Sequence, residues 1–164
     1  MRVTVIALCI WLISGSFLAL HADDHTCENP GLSRGQSIYV PAYSHIYSGN
    51  SEHPFLLTVT LSIRNIDLYH RITITKVDYY ETQGQLLQRR VDSTITLQPL
   101  ESLRFVVPEK DKSGGSGANF IVEWMSDTCV NPPIVEAIMI GTQMQQGLSF
   151  TSRGVVLIED APKP

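Results

Sequence analysis

Between Phe55 and Arg64 the chain reads FLLTVTLSIR, with Phe55, Leu57, Val59, Leu61 and Ile63 alternating with Thr58, Thr60, Ser62 and Arg64. A strand turns successive side chains to opposite faces, so this alternation describes a strand with one face buried and one wet. The pattern recurs. RITITKVDYY starts with Ile72 and Ile74 in phase and then shifts to Val77 and Tyr79, the one-residue slip that a β-bulge produces. STITLQPL, ESLRFVVPEK, NFIVEWM, PIVEAIMIGT and LSFTSRGVVLI read as further strands, and Ile38-Tyr39-Val40 as a first one ended by Pro41. Helical periodicity is absent beyond the N-terminal segment, apart from short ambiguous runs. About eight short strands with Gly, Pro and Asn between them predict an all-β domain, a single antiparallel β-sandwich. It is expected over 37–158, with irregular chain at 23–36 and a tail at 159–164.

The first residues differ in kind. Met1-Arg2 give a positive end, VTVIALCIWLISGSFLAL follows, and polar HADDH comes next. That order is a secretory signal peptide over residues 1–22, cleaved after Ala22. The bulky Leu20 sits where a small residue is preferred, and an uncleaved run would serve as a membrane anchor. Export is the expected localisation, to a periplasm where the cell has one. Cleavage removes Arg2 and Cys9, leaving 11 basic against 16 acidic residues and two cysteines, Cys27 and Cys129. In an oxidising compartment the pair predicts one disulfide. The whole chain carries a formal net charge of −4 with no basic cluster, which argues against nucleic acid as a partner.

Cleavage after Ala22 would also create the terminus Asp23-Asp24-His25. A free amine, two backbone amides and the imidazole of His25 offer four nitrogens in a plane, a set suited to Cu(II) or Ni(II). No other cofactor is expected. His45 and His53 lack the spacing and third ligand of a zinc site.

DKSGGSGANF, from Asp111 to Phe120, could be taken for a phosphate loop. A Walker loop needs Lys-Ser or Lys-Thr after its last glycine, and a dinucleotide loop must open a helix; here Ala118-Asn119 leads into a strand. A nucleophile elbow at Ser116 would need a histidine downstream, and every histidine lies at or before His70. The glycines therefore read as a strand connection using positive φ, with Ser116 and Asn119 open to a partner.

NFIVEWM and PIVEAIM are expected to form a hairpin around residues 126–133. A symmetric closure puts Phe120, Val122 and Trp124 beside Val135, Ala137 and Met139, and sets Glu123 across from Glu136. Opposed carboxylates destabilise a sheet and should recruit a cation or share a proton. Arg64 and Arg153 are the expected partners, and the glutamates are the candidate catalytic pair. YVPAYSHIYSG groups Tyr39, Tyr43, His45 and Tyr47, amphipathic rings that can stack on a sugar or cap the sandwich.

YVPAYSHIYSG, LSIRN, VDYY, SGGSGANFIVEW, PIVEAIMIGT and GLSFTSRG together resemble a family of bacterial exported proteins known as domain of unknown function 3124. The resemblance runs from about Ser37 to Val156. It implies an all-β exported domain and carries no catalytic residues to transfer. NPPIVEAIMIGTQMQQ is similar to one stretch of the sensory-rhodopsin transducer family, small β-sandwich proteins, which bears on the sandwich and not on signalling.

The first reading of function is non-catalytic binding of a small ligand, glycan or envelope protein through residues 39–47 and the glycine-rich loop, with Arg64 and Arg153 as further binding residues. A homo-oligomer is compatible with it. The second is a hydrolase or metal-dependent enzyme using Glu123 and Glu136, with Ser116 or His45. The third is a structural role in envelope assembly.

Overall fold

The computed structural model describes residues 27–143 and 145–159. The expected signal peptide, Asp23-Asp24-His25 and the end of the tail lie outside them. Twelve strands are found among the described residues: β1 Ser33–Pro41, β2 His45–Ser48, β3 Asn50–Leu56, β4 Thr58–Arg64, β5 Ile72–Tyr80 and β6 Leu86–Arg89. The second half of the chain supplies β7 Ile95–Leu97, β8 Ser102–Val107, β9 Asn119–Val130, β10 Ile134–Gln143, β11 Gln146–Arg153 and β12 Val155–Glu159. The larger sheet runs β12-β1-β9-β5-β6, with β7 also paired to β5; the smaller runs β11-β10-β4-β8. All pairs are antiparallel, and β2-β3 forms a separate ribbon. The two sheets face each other as a β-sandwich.

The alternating residues build the core as their spacing requires. Leu57, Val59, Leu61 and Ile63 are fully buried, facing Phe120, Val122 and Trp124 of the other sheet. The phase slip in β5 is a true irregularity of the ladder: Ile74 pairs with Trp124 and Lys76 with Glu123, so Thr75 is the extra residue. Trp124 is buried and its indole Nε1 donates to Gln36 Oε1 at 3.3 Å, while Gln36 Nε2 donates to Glu159 at 3.0 Å. This chain of bonds ties three neighbouring strands, β9, β1 and β12.

Three expectations are corrected. Strand β1 begins at Ser33, inside the stretch expected to be irregular, because Gly35 and Gln36 pair with Met125 and Trp124. LSFTSRGVVLI is two strands in different sheets: β11 pairs with β10, the chain turns at Gly154, whose N–H donates to Val135, and β12 joins β1. The hairpin around residues 126–133 does not form. Strand β9 continues to Val130, which pairs with Ser33, and Asn131-Pro132-Pro133 carries the chain to the opposite sheet. Proline has no N–H to extend a ladder, so this segment is suited to the crossing.

Cys27 and Cys129 form a disulfide across a sequence separation of 102, with Cα atoms 5.8 Å apart. It staples the segment before β1 to the end of β9. No helix among the described residues is long and apolar enough to cross a membrane.

Candidate functional site

The glutamates expected to oppose each other are in different sheets. Glu123 stands between Ser37 and Lys76, and Lys76 Nζ donates to it at 3.1 Å. That hydrogen bond, against a smaller opposing effect of burial, raises the Lys76 ammonium above its usual range. Glu136 stands between Ser62 and Arg153, with an Arg64 guanidinium nitrogen 3.8 Å away. Each carboxylate thus has its own cation, and with Val122, Trp124, Val135 and Ala137 facing the core, the two glutamates lie on opposite outer faces. The shared-proton pair is overturned. Arg64 and Arg153 are neighbours of Glu136 alone.

The glycine-rich loop is a packing device. Gly114 lies against Tyr79 and Ser44, where an added Cβ would overlap the Tyr79 hydroxyl, and Gly115 has a φ of 77°. Its polar backbone is used internally: Gly117 N donates to Thr82 Oγ1, Thr82 N and Oγ1 donate to Gly114 O, and Ser44 N donates to Gly115 O. Ser44 Oγ and Tyr79 Oη are 3.1 Å apart in the interior, and burial raises the Tyr79 phenol. Ser116 is half-buried, and Asn119 is a strand residue between Pro41 and Tyr80. The tyrosine segment divides. Tyr39 is half-buried in β1, Tyr43 packs its ring on Phe150, and His45 Nε2 is 3.1 Å from the hydroxyl of the exposed Tyr47.

A different locus stands out at one end of the sandwich, in the loop joining β4 to β5, residues 65–71 with the sequence NIDLYHR. Two of its polar residues, Asn65 and Asp67, point inward. Asn65 is buried; its N–H donates to Glu101 O and its side-chain amide reaches the carbonyls of His70, Leu97 and Gln98 at 2.9, 3.3 and 3.0 Å. Asp67 is buried too, and its carboxylate accepts from the N–H groups of Tyr69, His70 and Asn131 at 2.9, 2.8 and 3.0 Å. It also accepts from Asn131 Nδ2 and lies 3.0 Å from His70 Nδ1. Burial alone would raise this carboxyl, but the sum of these hydrogen bonds holds it well below the usual carboxylate range.

The apolar residues of the same loop point outward. Leu68 is 60% exposed and Tyr69 81%. Tyr69, His70, Arg71, Gln98, Asp127 and Thr128 line a depression of about 290 Å³ together with Pro99 and Ser126. Beside it, Leu100 is exposed and sits at a φ of 64°, a conformation that costs a branched side chain about 1 kcal/mol. An ionised carboxylate can only accept, so His70 Nδ1 carries the proton and its Nε2 is an acceptor in the neutral ring. Arg71 and Asp127 are 3.6 Å apart and both exposed, a loose pair that leaves each open to a ligand. No cluster of three or more potential metal ligands occurs among the described residues.

None of these residues was a candidate from sequence. The available signal was the Asn65-x-Asp67 spacing, which favours side-chain-to-backbone turns, with Ile66, Leu68 and Tyr69 interleaved in a connection between two strands.

Fold and site together define a disulfide-stapled, two-sheet antiparallel β-sandwich with a pinned aromatic loop at one end. The chain belongs to the family described as "Protein of unknown function (DUF3124)", whose model matches residues 35–157. Among solved structures it is similar to a Thermotoga maritima protein, titled "Crystal Structure of Thermotoga maritima 1070". The two are 13% identical with a TM-score of 0.43, over 75% of this chain and 93% of that one. None of the curated proteins matches the chain.

Proposed function

We propose that the protein is an exported, non-catalytic binding domain that takes a glycan in the depression beside the 65–71 loop. The observation that carries the reading is Tyr69, 81% exposed on a backbone pinned from below by Asn65 and Asp67. The ring left in water adds nothing to the core, although the buried network beneath it stabilises the loop. The network also removes the ordering cost a ligand would otherwise meet. A pyranose has an apolar C–H face, which suits a tyrosine ring, and a rim of hydroxyls. The rim is matched by Gln98, Arg71, Asp127 and Thr128 and by the acceptor Nε2 of His70. A volume of about 290 Å³ accommodates one sugar unit with a few waters at about 30 Å³ each. The disulfide supports an oxidising, exported setting.

The test is a glycan-array screen of the mature protein followed by titration of any hit. Tyr69→Ala should weaken binding about tenfold or more at an unchanged urea midpoint. Failure to retain any glycan, or equal affinity in Tyr69→Ala, overturns the reading.

A catalytic reading attaches to one observation, the buried Asp67 carboxylate 3.0 Å from His70 Nδ1, an orientation suited to general-base work. Ser126 Oγ in the same depression donates to Arg71 O at 3.2 Å. Turnover of ester substrates that disappears in His70→Gln would favour this reading over binding alone.

A further inference from the structure

The outer face of the smaller sheet holds a second depression, of about 320 Å³, lined by Thr60, Ser62, Arg64, Ser102, Arg104 and Ile138 with Leu103. Ladder register explains its composition. Val59, Leu61 and Ile63 of β4 are buried in the core, so Thr60, Ser62 and Arg64 lie on the outer face, with Ser62 covered by neighbouring side chains at the floor of the depression. Leu103 and Phe105 of β8 pack on the core, so Ser102 and Arg104 face out beside them. Ser62 is directly opposite Arg104, and Arg64 opposite Ser102. The two arginines are therefore diagonal neighbours on adjacent strands, whose Cα atoms lie roughly 7–8 Å apart. On the next strands of the same face, Glu136 is opposite Ser62 and Arg153 opposite Glu136.

Charge does not balance here. A chain of net charge −4 gathers Arg64, Arg104 and Arg153 on one sheet face against the single carboxylate of Glu136. That carboxylate approaches Arg64 only at 3.8 Å, longer than a hydrogen bond, while Arg64 Nε is 3.1 Å from Ser62 Oγ. Arg104 has no partner among the described residues. Diagonal like charges on adjacent strands are unfavourable until a counter-charge lies between them. Two guanidinium forks with three hydroxyls, those of Thr60, Ser62 and Ser102, have the donor count and planarity that a tetrahedral oxyanion accepts.

We propose that Arg64 and Arg104 hold a phosphate-type oxyanion in this depression, with Thr60, Ser62 and Ser102 donating to its oxygens. The site is separate from the Tyr69 depression, the two flanking the turn at residues 98–101. The oxyanion can come from solution or from a phospholipid headgroup, and the same chemistry serves both.

The experiment titrates the mature protein with inorganic phosphate, with chloride as control, following backbone amides of β4 and β8 by NMR. In parallel, the protein is sedimented with phosphatidylcholine vesicles and with vesicles of equal parts phosphatidylcholine and phosphatidylglycerol. Arg104→Gln and Arg64→Gln should each weaken the response about tenfold, and Arg104→Lys should restore part of it. Saturable shifts with phosphate that fall in the variants support a soluble oxyanion as the source. Sedimentation with the anionic vesicles alone, again lost in the variants, supports the headgroup. No response to either probe, or one unchanged in both glutamine variants, overturns the proposal. Arg104 is exposed on an edge strand, so circular dichroism of its variants should match the parent and exclude misfolding as the cause.

Discussion

Asp67 shows how much one buried side chain arranges. Three backbone N–H groups, the Asn131 amide and the His70 ring converge on its carboxylate, and in doing so fix the direction of Tyr69. Because its folded carboxyl titrates below that of an unfolded aspartate, it contributes stability that is complete above about pH 4 and drains as pH falls further. Asp67→Asn at neutral pH should cost about 2–3 kcal/mol, since one oxygen becomes a donor aimed at other donors. Urea unfolding followed by Trp124 fluorescence should also find that the variant loses less stability than the parent between pH 5 and pH 3. Sequence could present Asp67 only as a turn former. Its burial depends on Asn131, 64 positions away, and on a strand crossing that no local pattern encodes.

At the scale of the element, the glycine-rich connection is the clearest case. Its place between strands was legible because a strand, not a helix, follows Ala118. That its glycines admit close approach became visible only once Tyr79, Ser44 and Thr82 were placed around them. Gly114→Ala should destabilise by about 1–3 kcal/mol, because the added methyl overlaps buried Tyr79 and Ser44. Gly84→Ala is the control: φ is +84° but nothing lies within 4 Å, so only the backbone penalty of about 1–2 kcal/mol applies. Comparing both midpoints with the parent separates crowding from φ. The Glu123–Glu136 hairpin failed at this same scale for a definable reason. A hairpin and a sandwich crossing both turn Phe120, Val122 and Trp124 inward with Val135, Ala137 and Met139. Alternation therefore could not choose between side-by-side and face-to-face packing.

At the scale of the molecule, the Cys27–Cys129 disulfide joins the segment before β1 to the end of β9, at the point where the chain leaves the larger sheet. Closing a loop of this length in the unfolded chain is worth about 4–5 kcal/mol on the chain-entropy account. The double substitution Cys27→Ser, Cys129→Ser should lower the urea midpoint accordingly, and added reductant should shift the parent toward it but leave the variant unmoved. Sequence alone determined that the protein is all-β, which faces of β4, β5, β9 and β10 are buried and where β5 slips, and it made Cys27 and Cys129 the expected pair. These follow from the pleat and from residue counts, properties a short stretch carries by itself. Tertiary structure decided which strands are neighbours, that Glu123 and Glu136 lie on opposite faces, and that Tyr69 and Arg104 stand over depressions. Those outcomes depend on where Asn131-Pro132-Pro133 and Gly154 send the chain, and on contacts between residues dozens of positions apart, whose energies no local alternation records.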